Sequence, residues 1–248
     1  MKWRTAISTH KNGELYIRGE SLTKLIDKHS FTEAIFLVLK GTLPSKSEKE
    51  MLDAILVAPI EHGVEAPSAF VARTVVSTGN PMNTALAAGL LATGDWHGGA
   101  IEQAARMLQS SKMSAQIVSE TLTKRERLSG YGHKIYKEID PRATAIFAKA
   151  KKLKFYGKYV SRALAIQKEL EKQSGKKLAL NIDGAIAAII SELGFDWRLG
   201  KAFFALGRLP GIIAHAHEEM VNEKPYRRFE EGDVEYIGKP VKNIRAKK

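Results

Sequence analysis

The side chains best suited to chemistry are histidines, one aspartate and a few arginines set among glycines. Seven histidines occur, and three sit beside glycine: His62-Gly63, Trp96-His97-Gly98-Gly99 and Gly130-Tyr131-Gly132-His133. Glycine next to a polar side chain allows a sharp turn and close approach of a ligand. One such turn is an ordinary structural feature; three in one chain point to a binding or catalytic surface. Arg142 follows His133 by nine residues, in Asp140-Pro141-Arg142. There aspartate can cap a new helix and proline suits its first position. A guanidinium at a helix N-terminus is a site for carboxylate or phosphate. Asp183, in Leu180-Asn181-Ile182-Asp183-Gly184-Ala185, puts a carboxyl at the start of an apolar helix. It reads either as a helix cap or as a desolvated general base, whose raised pKa would suit proton abstraction from carbon. Arg208 is a lone charge within Ala205-Leu206-Gly207-Arg208-Leu209-Pro210-Gly211. An unpaired charge there would be costly, so it calls for an anionic partner, either a ligand or a structural carboxylate. His215-Ala216-His217-Glu218-Glu219 contains metal-ligand types, but residues two apart on a helix face different ways, so no metal site is expected.

Helices must position these groups. Ser30-Phe31-Thr32-Glu33 and Ser45-Lys46-Ser47-Glu48 both carry the capping-box pattern. Ala100, Ile101, Ala104, Ala105 and Leu108 recur at helical spacing from Gly99 on. Further helices are expected from Asp140, over Tyr159–Lys172, over Ala185–Leu193, and, as two pieces, over Arg198–Leu206 and Gly211–Met220. Met82–Thr93 is small and apolar, as a tightly packed buried helix would be. β signal is confined to Glu14–Arg18, with a weaker trace at Val234–Ile237. No strand–glycine-loop–helix unit occurs, so a dinucleotide fold or P-loop is not supported. The expected class is all-α.

The 248 residues are 44% hydrophobic and 27% charged, which fits a folded protein large enough to bury a core without staples. There is no cysteine, so disulfides, thiolate metal sites and cysteine nucleophiles are excluded. The charge-free run Thr74–Gly94 is interrupted by Gly79-Asn80-Pro81 and reads as a helix end, a turn and a helix, not a membrane span. Polar residues follow Met1-Lys2-Trp3-Arg4 with no apolar signal core, and a cytoplasmic location is the expectation. The net charge is +12, and Lys124–Arg162 holds twelve basic residues against Glu126, Glu138 and Asp140. That field would attract nucleic acid, an anionic membrane or a phosphorylated cofactor, or is simply a solvated helix face.

Taken together, the motifs resemble the citrate synthase family. The matching stretches are Leu15-Tyr16-Ile17-Arg18-Gly19, Glu61-His62-Gly63, Trp96-His97-Gly98-Gly99-Ala100, Gly130-Tyr131-Gly132-His133 through Arg142, Asn181-Ile182-Asp183-Gly184 and Gly207-Arg208. Six motifs in the family's order make the resemblance specific. It implies that Asp183 removes a methyl proton from an acetyl thioester and that His97 donates to the enolate oxygen. His133 would polarise a 2-oxoacid carbonyl and protonate it as the bond forms. His62, Arg142 and Arg208 would hold substrate carboxylates. A further arginine, supplied by a neighbouring subunit, would fall at Arg227, with Arg228 its close rival. The basic segment would surround the phosphates of coenzyme A, with Ser129, Gly130, Tyr131 and Gly132 near the nucleotide and Lys176 and Lys177 as further contacts.

Very little lies between Leu43-Pro44-Ser45 and Glu61, where typical citrate synthases carry a large helical block. This compact form resembles citryl-CoA lyase and the C-terminal part of ATP-citrate lyase, as does Asp183-Gly184-Ala185; His97 is instead a synthase feature. The resemblance implies a two-domain helical fold, with residues 1–100 and 186–248 in a large domain and 101–185 in a small one closing over the CoA ester. The implied reaction makes or breaks the bond between acetyl-CoA and oxaloacetate through citryl-CoA, with the direction open. The substrates would be acetyl-CoA or citryl-CoA and oxaloacetate or citrate, with no permanently bound cofactor, and the protein a homodimer or dimer-based oligomer. A 2-methylcitrate synthase-like enzyme is the nearest alternative, and a non-catalytic CoA-ester-binding protein the alternative of another class. Nucleic acid is not expected as a partner, because the aromatics of the basic segment fall at helical core spacing and form no stacking platform.

Overall fold

The computed structural model describes residues 2–239. An N-terminal antiparallel sheet comes first: β1 (Ser8–Lys11), β2 (Glu14–Ile17) and β3 (Glu20–Ser21), in that order. Ser8 pairs with Ile17 and Lys11 with Glu14. The connecting Asn12-Gly13 has φ of 52° and 80°, the left-handed backbone that a two-residue hairpin requires. β1 was not expected, because its four residues are all exposed and carry no alternation. Val234–Ile237 pairs with no strand among the described residues.

Helices make up most of the remainder. They are α1 (Leu22–Lys28), α2 (Phe31–Lys40), α3 (Lys46–Val57), α4 (Pro67–Ser77), α5 (Met82–Leu91), α6 (Ala100–Gln109), α7 (Ser114–Thr123), α8 (Pro141–Lys152), α9 (Lys158–Ser174), α10 (Ile182–Glu192) and α11 (Gly200–Asn222). Ser30 and Ser45 form the expected capping boxes with Glu33 and Glu48. Gly41 and Gly175 end α2 and α9 in the left-handed conformation. The fold is all-α apart from the small sheet.

α10 is the central element. Ile182 and every residue from Gly184 to Ser191 are buried, and they pack against α6, α8 and α9. The main core continues through Phe36, Met51, Leu52 and Ile55 to Phe203 and Phe204 on α11. A second cluster joins Ala72 and Val76 of α4, Ala85 of α5, and Ile212 and Ala216 of α11.

Two expectations need correction. α5 is not a buried helix: Ala85 and Gly89 are buried, but Leu91 is 84% exposed. α11 is one helix, not two, and runs through Pro210. Proline removes one helical N–H and crowds the preceding turn, at about 3 kcal/mol. Here each side is held by its own core, Phe203 and Phe204 before the proline and Ile212 and Ala216 after it.

Candidate active site

His62, His97, His133, Arg142, Asp183 and Arg208 all line one cavity of about 160 Å3. They come from distant parts of the chain, and contacts between those parts bring them together.

Asp183 lies in the first turn of α10. The cap is the preceding Asn181, whose Oδ1 accepts from Gly184 N at 3.1 Å, so the Asp183 carboxyl is free for the pocket. It is partly buried at the pocket wall, and desolvation raises its pKa despite the nearby Arg142 and His62. The His133 loop crosses directly over this helix start. Gly130 O accepts from Asn181 N at 2.9 Å, Gly132 N donates to Ala179 O at 2.7 Å, and Asn181 Nδ2 donates to Gly132 O at 2.8 Å. A Cβ on Gly184 would stand 2.5 Å from the Gly130 oxygen, so only glycine permits this crossing.

His133 Nδ1 accepts from the N–H groups of Ile135 and Tyr136, each at 3.1 Å. A neutral ring must then carry its proton on Nε2. Arg142 Nη2 lies 3.1 Å from that nitrogen. Two donors side by side call for a shared acceptor oxygen. Burial, then the Arg142 charge, lowers the His133 pKa and keeps the ring neutral. Arg142 is aimed by Asp140, which is 1% exposed. Asp140 accepts from Arg142 Nε at 3.0 Å and Nη2 at 2.8 Å, caps α8 through Arg142 N, and accepts from Ile182 N at 3.0 Å. Burial pushes the Asp140 pKa up, but these hydrogen bonds outweigh it and the net shift is downward.

His97 sits in a tight turn closed by Gly94 N donating to His97 O at 2.8 Å. Its Nε2 accepts from Ser68 N at 3.4 Å and lies 2.9 Å from Ser68 Oγ. Ser68 is in the first turn of α4, where backbone N–H groups are unspent. With Nε2 accepting, the proton belongs on Nδ1. Burial, then the charge of Arg208, lowers the His97 pKa. Phe204 packs edge-on at 5.4 Å and also covers Gly98.

Arg208 is 4% exposed. Its Nε donates to Pro59 O at 2.5 Å, while Nη1 is buried without a partner. Among the described residues no carboxylate lies within salt-bridge distance of Arg208, so the structural-carboxylate reading is not realised.

The other predicted positions fall elsewhere. Tyr131, Gly132 and Lys176 line a larger cavity of about 960 Å3 that also reaches His133. Ser129 faces a separate cavity of about 500 Å3 and donates to Gln103 at 2.6 Å. Gly130 is packed on Gly184, and Lys177 is paired with Glu138 at 2.9 Å. Arg227 does not line the pocket; its Nε and Nη2 hold the two oxygens of buried Glu219 at 2.9 and 2.6 Å. His215 pairs with Glu61 and His217 is exposed, so the two histidines do not converge.

The model of the citrate synthase C-terminal domain matches residues 45–229. The chain belongs to the citrate synthase family. Citrate synthase 2 of Bacillus subtilis is 31% identical over 206 residues, 81% of this chain and 55% of that protein. The chain thus spans about half the length of the curated relatives it matches. Citryl-CoA lyase from Hydrogenobacter thermophilus superposes with a TM-score of 0.92 and 48% identity, over 98% of this chain and 97% of that one. ATP citrate lyase from Methanothrix soehngenii, in complex with citrate and coenzyme A, superposes with a TM-score of 0.82 and 25% identity, covering all of this chain and 43% of that one.

Sequence reasoning assigned no site role to Asp140, Ser68 or Trp96. The sequence marks Asp140 as a cap, and the Asp-Pro-Arg spacing is also the signal that one carboxylate can serve both helix and guanidinium. Ser68 carried no signal, since only the tertiary fold brings it to His97. Trp96 lines the pocket yet is 88% exposed, with the Arg127 guanidinium 5.6 Å from its ring centre.

Proposed function

We propose that the protein makes and breaks the carbon–carbon bond between acetyl-CoA and oxaloacetate, with citryl-CoA as the joined species. The observation that carries this reading is the meeting of Asp183, His97 and His133 with Arg142 and Arg208 in one pocket.

In the condensing direction Asp183 takes a methyl proton from acetyl-CoA. Desolvation makes that carboxylate a stronger base than one in water. Charge collects on the thioester oxygen, where the His97 Nδ1–H donates to it. The enolate carbon attacks the oxaloacetate carbonyl carbon, and the carbonyl oxygen takes the proton on His133 Nε2. The charge left on that ring is eased by the two backbone N–H groups at Nδ1 and by Arg142. Cleavage runs the same steps in reverse, with protonated Asp183 returning a proton to carbon. Arg142, Arg208 and His62 hold the carboxylates and so supply proximity. The compact frame shared with the lyase of Hydrogenobacter thermophilus favours cleavage without hydrolysis.

The small cavity fits only the dicarboxylate or citryl end, so coenzyme A runs into the 960 Å3 cavity beside Lys134 and Lys176. The segment 101–185 acts as the part that closes over it. The exposed apolar residues Phe70, Leu91, Ile213, Met220 and Val221 on α4, α5 and α11 favour a homodimer. The partner-supplied arginine is then Arg228 rather than Arg227, whose guanidinium is already held by Glu219. No helix among the described residues is long and apolar enough to cross a membrane.

The test is direct. The protein is incubated with acetyl-CoA and oxaloacetate, and separately with citryl-CoA, while free thiol, citrate and acetyl-CoA are measured. Asp183→Asn should lose both directions by at least about 100-fold, the usual scale for a positioned acid or base. Retention of most activity would overturn the assignment.

A further inference from the structure

The His215 motif, left without a role by the chemistry above, belongs to a clamp on the loop that carries His62. Gly207, Gly211 and His215 recur every four residues along one face of α11, with Arg208 flanking them three residues before Gly211. The segment from Leu56 to Glu61 lies against that face. A Cβ on Gly207 would stand 2.6 Å from the Leu56 oxygen, and one on Gly211 would stand 2.5 Å from Glu61 Oε2 and press on the Ile60 carbonyl. Arg208 Nε holds the Pro59 oxygen at 2.5 Å. About two turns beyond Arg208, His215 Nε2 lies 3.0 Å from Glu61 Oε1. A carboxylate only accepts, so Nε2 carries the proton. The same Glu61 oxygen accepts from Gly63 N at 2.6 Å. His62 is therefore bracketed: the residue before it is tied to α11, and the residue after it is tied to that same carboxylate.

The geometry points to His215 and Glu61 as positioning residues that hold the His62 imidazole toward the pocket. This rests on the reading of His62 as a ligand for a substrate carboxylate. The clamp also continues away from the pocket. Glu218 faces His215 Nδ1 at 4.0 Å and pairs with Arg73, whose Nε holds Glu219 at 2.7 Å, and Glu219 is the anchor of Arg227. One line of charges thus joins the His62 loop to the segment after α11.

The distinguishing readout is which substrate loses affinity. His215→Ala should raise KM for oxaloacetate about tenfold, the scale of one charge-assisted hydrogen bond. KM for acetyl-CoA should stay within about twofold, because the CoA end lies in the other cavity. His215→Gln should restore most of the loss, since its Nε2 can donate from a similar place. Glu61→Ala should reproduce the His215→Ala defect, and the double variant should be no worse than either single one. Equal effects on both substrates, no rescue by glutamine, or additive losses would each overturn the inference, and the Glu61 variant decides if His215→Ala fails to fold. Calorimetric titration with oxaloacetate gives the same comparison without turnover. A wild-type protein that binds oxaloacetate but turns nothing over would sink the proposed reaction and leave the clamp to be judged by that titration. A wild type that binds no oxaloacetate would sink both.

Discussion

Replacing Asp140 by alanine removes a single side chain that serves two helices and one guanidinium. Its loss of the α8 cap bond to Arg142 N costs about 1 kcal/mol. The Ile182 N–H, buried at the start of α10, loses its acceptor, which costs about 1–3 kcal/mol. The Arg142 pair lies between the limits for exposed and buried pairs, because Arg142 keeps 28% side-chain exposure while Asp140 has none. That places its loss at about 1–2 kcal/mol, discounted for solvent around the arginine. The expected total is about 3–6 kcal/mol, large against the usual margin of folding. Urea unfolding, followed by two probes to check a single transition, measures it. A double-mutant cycle with Arg142→Ala isolates the ion pair and should give about 1–2 kcal/mol of coupling. A loss below about 1 kcal/mol would refute the idea that Asp140 joins the two helix starts, and no coupling would refute the ion pair's share of that loss.

Three further outcomes follow from the geometry. Asp183 has a raised pKa in the folded protein, so the folded state holds its proton to higher pH than the unfolded chain does and stability falls as pH rises from the ordinary carboxylate value of 3.8 through the raised value. Asp183→Asn should therefore unfold at a higher temperature than the parent at neutral pH, with the gap closing toward about pH 4 by calorimetry; a less stable variant at neutral pH would contradict the desolvation argument. Gly184→Ala should destabilise the protein and lower turnover, although alanine is the better helix former by about 1 kcal/mol, because its Cβ would meet the Gly130 oxygen at 2.5 Å. A thermal midpoint above the parent's would show that the loop crossing is not tight. With Trp3 and Trp197 replaced by phenylalanine, Trp96 emission should shift to the blue on adding acetyl-CoA or citryl-CoA, as an indole 88% exposed at the pocket mouth is covered. An unchanged spectrum would place the ligand elsewhere.

Local chemistry made much of this protein legible from its residues. Capping boxes at Ser30 and Ser45, the Asp140-Pro141 start and the Gly175 stop act within one turn of backbone, so they can be read without knowing the fold. The pocket residues were legible for a different reason: each such histidine, aspartate or arginine has an ordinary structural use on its own, and only six motifs in order restrict the family and single them out. What the residues could not reveal is where side chains from distant segments meet. Pro210 reads as a break, and only cores on both sides of it make α11 continuous. Arg227 and Arg228 are neighbours of identical type, and only the fold shows that buried Glu219 holds the Arg227 guanidinium. The protons of His97 and His133 were likewise undetermined, because each is set by backbone N–H groups whose direction exists only after folding. Residue types and spacing thus decided which groups could do chemistry; the crossing of Gly130 over Gly184 and the seating of Glu61 on α11 decided how they face one another, since contacts between remote segments depend on packing that no local pattern encodes.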